Sequence, residues 1–153
     1  MEITIETATI GLLDDFYEIE KQSFTREVFT KGEIAYLLRD YNAIGLAARV
    51  NGKIAGFLIG RIDVEKGKTF GHILTLDVAP SYRRLGIARK LIFELETLLK
   101  QKGAVESRLE VREDNTAAIS LYLKFGYRKM GRLEKYYGNA HGLYLLKNLS
   151  ATE

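Results

Sequence analysis

Val78-Ala79-Pro80-Ser81-Tyr82-Arg83-Arg84-Leu85-Gly86-Ile87-Ala88-Arg89-Lys90 runs from the end of an apolar strand, through a proline break and a basic turn, straight into a long helix. The first residues of a helix carry unpaired backbone N–H groups and a partial positive charge. Gly86 and the small Ala88 let a ligand come close to that backbone, and Arg83, Arg84, Arg89 and Lys90 surround it with positive charge. Such a turn is an anion site suited to a pyrophosphate. A solvated basic helix start, with Gly86 merely shaping the turn, accounts for the same residues. Neither a Walker loop nor G-x-G-x-x-G occurs in the chain.

Outward from this turn the pattern is regular. Upstream, Ala43–Val50 and Lys53–Val64 read as strands joined by Asn51-Gly52, a strong hairpin signal, and Lys68–Ala79 follows as a third strand. Before them lie a strand over Glu2–Thr7, a helix marked by Ile10, Leu12, Leu13, Phe16 and Ile19, and a second helix over Ile34–Tyr41. Downstream, Ile87, Leu91, Leu95 and Leu98 form one helical stripe with Ile92 and Leu99 beside it, and Gly103 ends that helix. Val105–Arg112 is a fifth strand, Ala117–Phe125 a short helix, and Tyr127–Tyr137 with Leu143–Leu149 a closing hairpin. The predicted fold is α/β in the α+β sense: a mixed, mostly antiparallel twisted sheet of about seven strands with four helices, in one domain over residues 1–153. It is not an alternating dinucleotide-binding pattern.

Arg83-Arg84-Leu85-Gly86-Ile87-Ala88 resembles the R/Q-x-x-G-x-G/A signature of the GCN5-related N-acetyltransferase (GNAT) superfamily. Leu109-Glu110-Val111-Arg112, Asn115, Ala118, Leu121-Tyr122 and Gly126-Tyr127 resemble the more specific L-E-V-R-x-x-N-x-x-A-x-x-L-Y-x-x-x-G-F/Y segment of its ribosomal-protein-alanine and N-terminal acetyltransferases. The resemblance implies an acetyl-CoA-dependent N-acetyltransferase working by direct attack in a ternary complex. Acetyl-CoA would be a substrate, with no metal. Its pyrophosphate would lie on Arg83, Arg84, Leu85, Gly86, Ile87 and Ala88, and its pantetheine arm and acyl group along Leu76, Asp77 and Val78.

The resemblance also implies roles further along. Val105–Arg112 places Glu106, Arg108, Glu110 and Arg112 on one face, which a solvated strand face would also do. Within the family pattern Glu110 is the candidate general base. Asn115 is a natural helix cap that would also bond the pantetheine arm. Tyr122 falls on the apolar face of its helix, and the resemblance aims its hydroxyl at the thioester sulfur to protonate the leaving thiolate. His72 borders the acceptor entrance or packs there. Tyr136-Tyr137 resembles the tyrosine pair that holds a peptide backbone, with Phe24 and Glu27 on the facing wall.

The preferred acceptor is the α-amine of a protein or peptide. At pH 7 an α-amine is roughly 10–15% neutral and a lysine amine only about 0.04%, so a modest base suits the former. Two departures leave the preferred N-terminal residue open: Ser23-Phe24 is followed by Thr25-Arg26-Glu27 rather than Pro-Trp, and the tyrosine pair by Gly138-Asn139-Ala140-His141-Gly142 rather than an acidic turn. A lysine or polyamine acetyltransferase keeps the same donor residues. A non-catalytic nucleic-acid module built on Tyr82, Arg83 and Arg84 is a more remote alternative, disfavoured because the cations crowd one turn.

Composition narrows the classes. The chain has 153 residues, a net charge of +3 and no cysteine, so disulfides, thiolate nucleophiles and cysteine-based zinc sites are excluded. The start carries no signal-peptide pattern and no apolar run reaches the ~18 residues of a membrane span. The expectation is a cytoplasmic protein without a membrane partner.

Overall fold

The computed structural model describes residues 1–22 and 28–150. The first strand, β1 (Ile3–Thr7), leads through a short 3-10 turn to helices α1 (Leu13–Lys21) and α2 (Lys31–Arg39). Strands β2 (Ala43–Val50), β3 (Lys53–Glu65) and β4 (Lys68–Val78) precede helix α3 (Ile87–Gln101). Then come β5 (Glu106–Arg112), α4 (Thr116–Lys124), β6 (Arg128–Leu133) and β7 (Gly142–Asn148). The strands hydrogen-bond in the order β1-β2-β3-β4-β5-β7-β6. Among the described residues the expected seven strands and four helices are present.

Boundaries differ for local reasons. Helix α2 begins at Lys31, three residues before the first apolar position that suggested it. Thr30 and Glu33 form a capping box: the Thr30 hydroxyl accepts from the Glu33 N–H at 3.1 Å, and the Glu33 carboxylate accepts from the Thr30 N–H at 2.8 Å. The last hairpin is shorter than its sequence suggests, because Tyr136 and Tyr137 lie in the connection between β6 and β7 rather than in a strand. Leu98, expected on the α3 stripe, is half-buried, whereas Ile87, Leu91, Ile92, Leu95 and Leu99 are buried.

The chain forms two compact units. The first holds residues 1–61 and 74–98, and the second residues 62–73 and 99–153. The core of the first unit joins Phe16 and Ile19 of α1, Ile34 and Leu37 of α2, and Ala47, Phe57 and Ile59 of β2 and β3. Phe16 and Phe57 stack with centroids 4.3 Å apart. Full burial of each such side chain stabilises the fold by about 1.5–3 kcal/mol. Glu20, next to Ile19, is also buried at 3% exposure.

In the second unit β5 is the central strand. It pairs antiparallel with β7 from Glu106↔Asn148 to Arg112↔Gly142, and parallel with the start of β4 at Gly71↔Ser107 and His72↔Arg108. Its faces separate as expected: Ser107, Leu109 and Val111 are buried, while Glu106, Arg108, Glu110 and Arg112 are partly exposed. Ser107 would be a costly buried hydroxyl, but it accepts a 2.8 Å hydrogen bond from the Tyr127 hydroxyl.

Candidate active site

The stretch from Leu76 to Ala88, expected to hold the donor, falls in the first unit, while Asn115 and Tyr122 fall in the second. Strand β4 ends at Val78, and the Ala79 N–H donates to Ala55 O at 2.8 Å, which ties the strand end to β3. β3 can approach because Gly56 has no side chain: a Cβ there would lie 2.8 Å from the Asp77 carbonyl oxygen. A single 3-10 turn, Pro80–Tyr82, follows, and the Arg83 Nε–H folds back to donate to Val78 O at 3.1 Å. Arg84 has φ 65° and Gly86 φ 81°. An arginine held there costs on the order of 1–3 kcal/mol.

Residues alternating into the left-handed region turn their N–H groups toward one side, the geometry of an anion cradle. The space that a Cβ on Gly86 would occupy has no protein atom within 4 Å. The first turn of α3 carries no acidic side chain. Open space at a helix start with cationic neighbours fits a pyrophosphate. The Ile87 side chain is buried.

Of the residues expected on the acceptor side, His72, Glu110, Tyr136 and Tyr137 fall in the second unit. His72 Nε2 and Glu110 Oε1 stand 2.7 Å apart, each side chain about one-fifth exposed at 22% and 23%. The charged face of β5 is an organised row. Arg108 is paired with Glu106, reaches Glu65 at 3.4 Å, and lies 3.6 Å from the centroid of the Phe70 ring. Arg112 holds Asp114 at 3.0 Å and sits 5.9 Å from the Tyr137 centroid.

Tyr136 and Tyr137 meet edge to face with centroids 4.9 Å apart. Tyr136 remains 53% exposed. Partial burial, and then the Glu110 charge, raise its hydroxyl above the ordinary tyrosine range. His141 accepts from the Lys135 N–H at 2.9 Å, so this second histidine shapes the tyrosine turn.

Asn115 caps α4, its side-chain oxygen accepting from the Ala118 N–H at 3.2 Å, which leaves its NH₂ group available to a ligand. Tyr122 is buried at 5% exposure and packs edge-on against Tyr127 at 5.3 Å. Phe24 and Glu27 lie outside the described residues. Among the described residues no group of three or more His, Asp or Glu could hold a metal ion, and no helix is long and apolar enough to cross a membrane.

Sequence reasoning missed the partners. The His72–Glu110 pair joins residues 38 apart in sequence, and no local period links them. Glu20 did leave a signal, since Phe16, Ile19 and Glu20 share the i, i+3, i+4 stripe that α1 buries.

Residues 13–127 match the acetyltransferase (GNAT) family, and the chain belongs to that family. It is an acetyl-CoA-dependent N-acetyltransferase. It is similar to N-alpha-acetyltransferase 20 of Dictyostelium discoideum, with 33% identity over 148 residues covering 95% of this chain and 86% of the relative. The solved structure of Ard1 from Thermoplasma volcanium matches with a TM-score of 0.87 and 26% identity, over 97% of this chain and 98% of that one. The ribosomal-protein-S18-alanine N-acetyltransferase of Escherichia coli shares the fold, with a TM-score of 0.87 at 24% identity, over 99% of this chain and 97% of that one.

Proposed function

We propose that residues 1–153 act as one cytoplasmic acetyltransferase domain whose acceptor is the α-amine of a protein or peptide N-terminus. The observation that carries this reading is the 2.7 Å His72–Glu110 pair on the charged face of β5. An α-amine needs only mild help to lose its proton near neutrality. With Glu110 as the carboxylate accepting from the His72 Nε2–H, the imidazole keeps a lone pair on Nδ1. The pair then offers the ammonium two proton acceptors in series, and no covalent enzyme intermediate is required. The relatives named N-alpha-acetyltransferase support the same acceptor class.

As the C–N bond forms and the C–S bond breaks, the Glu110–His72 pair takes the amine proton. The Tyr122 hydroxyl supplies one to the leaving sulfur. Backbone N–H groups near Val78 stabilise charge developing on the carbonyl oxygen. The turn from Arg83 to Ala88, the strand Leu76–Val78 and the Asn115 amide hold the donor. His72, Tyr136 and Tyr137 receive the acceptor's first residues.

The test compares initial rates on a peptide with a free N-terminus, the same peptide N-blocked but carrying lysine, and spermidine. The expected result is transfer to the free N-terminus about 10²-fold faster than to the other two, the order set by the neutral-amine fractions. Faster transfer to spermidine or to the blocked peptide would replace the N-terminal acceptor with a polyamine or a lysine side chain.

A further inference from the structure

A part-buried polar chain in the first unit links side chains that the chemistry above does not use. Glu20, on the buried stripe of α1, accepts from the Phe29 N–H through Oε2 at 2.9 Å. Its Oε1 lies 3.2 Å from the Thr75 hydroxyl, and Asp77 Oδ2 lies 3.1 Å from the same hydroxyl. A hydroxyl has one hydrogen, so it can donate to only one of these two oxygens. The other contact is a hydrogen bond only if a carboxyl group supplies the proton and the Thr75 oxygen accepts it. Two ionised carboxylates would leave one carboxylate oxygen facing hydroxyl lone pairs at contact distance.

The proton can be assigned. The Phe29 N–H donates to Glu20 whichever way the hydroxyl turns, and a carboxyl group that already accepts such a bond is the poorer place for the extra proton. The extra proton therefore belongs to Asp77, and the chain reads Asp77 to Thr75 to Glu20. Thr75 and Asp77 flank Leu76 on the strand assigned to the donor, while Glu20 and Phe29 belong to α1 and the entry to α2.

We propose that Thr75 and a protonated Asp77 are positioning residues for acetyl transfer, locking β4 at Thr75–Asp77 onto Glu20 and, through Glu20, onto the backbone at Phe29. Burial, and then the neighbouring Glu20, push Asp77 up to about 9, with the Arg83 charge opposing. Glu20 on α1, Thr75 on the same strand and Arg83 just beyond it are the groups acting on Asp77. When Asp77 ionises, two carboxylates flank one hydroxyl and the lock opens. Small misplacement of the donor strand lowers the rate of the chemical step far more than donor binding. This inference rests on the assignment of Leu76–Val78 to the donor.

The test pairs carbon-detected NMR of the aspartate carboxyls with kcat measured from pH 7 to pH 10 and with acetyl-CoA affinity. In the wild-type protein the Asp77 carboxyl should titrate near 9. Glu20→Gln should bring it down toward the ordinary range. One unit above that midpoint, kcat should stand about tenfold below its neutral value, as the competent fraction falls to about one-tenth, while acetyl-CoA affinity holds. Asp77→Asn, which keeps a neutral donor in place, should lack the alkaline fall. Thr75→Val should lower kcat at neutral pH, and Thr75→Ser should restore it.

Titration of Asp77 in the ordinary carboxylate range would overturn the proposal, as would an alkaline fall that persists in Asp77→Asn. The Thr75 pair keeps the test decisive if Asp77→Asn does not fold, since equal activity of the Val and Ser variants also overturns it. If Asp77 titrates high but the wild-type chain acetylates no amine, the proposed reaction fails while the protonated pair stands.

Discussion

Glu110 and His72 are hydrogen-bonded partners, Oε1 to Nε2 at 2.7 Å, although one stands on β5 and the other on β4. The parallel register sets His72 opposite Arg108, so Glu110 reaches back one alternate residue along its own face to meet the imidazole. A carboxylate held this way acts as half of a pair. Glu110→Gln and His72→Phe should each lower kcat by 10²-fold or more, the order expected for general base catalysis. The double variant should lose little beyond the worse single one, because the two act as a unit. The loss in Glu110→Gln should shrink as pH rises and more amine is already neutral. A pH–rate series on the three variants checks this; losses that simply multiply would separate the roles of the two residues.

At the donor turn, Gly86→Val should weaken acetyl-CoA binding more than Arg84→Ala. The protein leaves open the space a Cβ on Gly86 would fill, so the side chain would intrude on the ligand's approach rather than on the core. Valine at φ 81° is strained besides. Arg84 adds mainly a screened charge. Calorimetric titration with acetyl-CoA, with thermal unfolding run alongside to separate strain from binding, gives the order directly.

Two tyrosines packed edge to face should behave oppositely. Tyr122→Phe keeps the ring and should leave stability nearly unchanged while turnover drops by about 10²-fold, the loss of a general acid. Tyr127→Phe removes the hydroxyl that pairs with the fully buried Ser107 Oγ at 2.8 Å. It should destabilise the fold by about 1–3 kcal/mol, and adding Ser107→Ala should recover part of that, because the stranded polar group goes with it. Denaturant unfolding of the three variants measures the difference.

The tyrosines also show what the sequence could convey. The Tyr122 motif was legible because its spacing lies within one strand–helix unit, and the sheet was legible from period-2 runs and the Asn51-Gly52 turn. The hydrogen bond from Tyr127 to Ser107 spans 20 residues, and the bond from Thr75 to Glu20 spans 55. Such pairs are set by strand order and helix packing, which a local pattern does not encode. The turn placement of Tyr136 and Tyr137 was missed because their aromatic character reads as strand, while the connection is organised by His141 accepting from the Lys135 N–H.

Asp77 should leave a mark on stability as well. Its folded-state value, about 9, is raised above the ordinary aspartate value of 3.8. The folded state therefore holds this proton more tightly than the unfolded chain does. The contribution is fully present below about pH 4 and is lost as pH rises through about 9. Asp77→Asn removes that slope, so the Tm of the variant relative to wild type should climb steadily from pH 5 to pH 9. Scanning calorimetry at four or five pH values tests it; a constant difference would mean that Asp77 titrates alike in both states.

Acetyl transfer to an N-terminal α-amine is tested most directly by mass spectrometry. A peptide carrying both a free N-terminus and an internal lysine is incubated with isotopically labelled acetyl-CoA and the enzyme, and fragment ions locate the label. The proposed function predicts label on the α-amine, absent without enzyme and strongly reduced with Glu110→Gln. Label confined to the lysine side chain, or no enzyme-dependent label on the peptide, would contradict it.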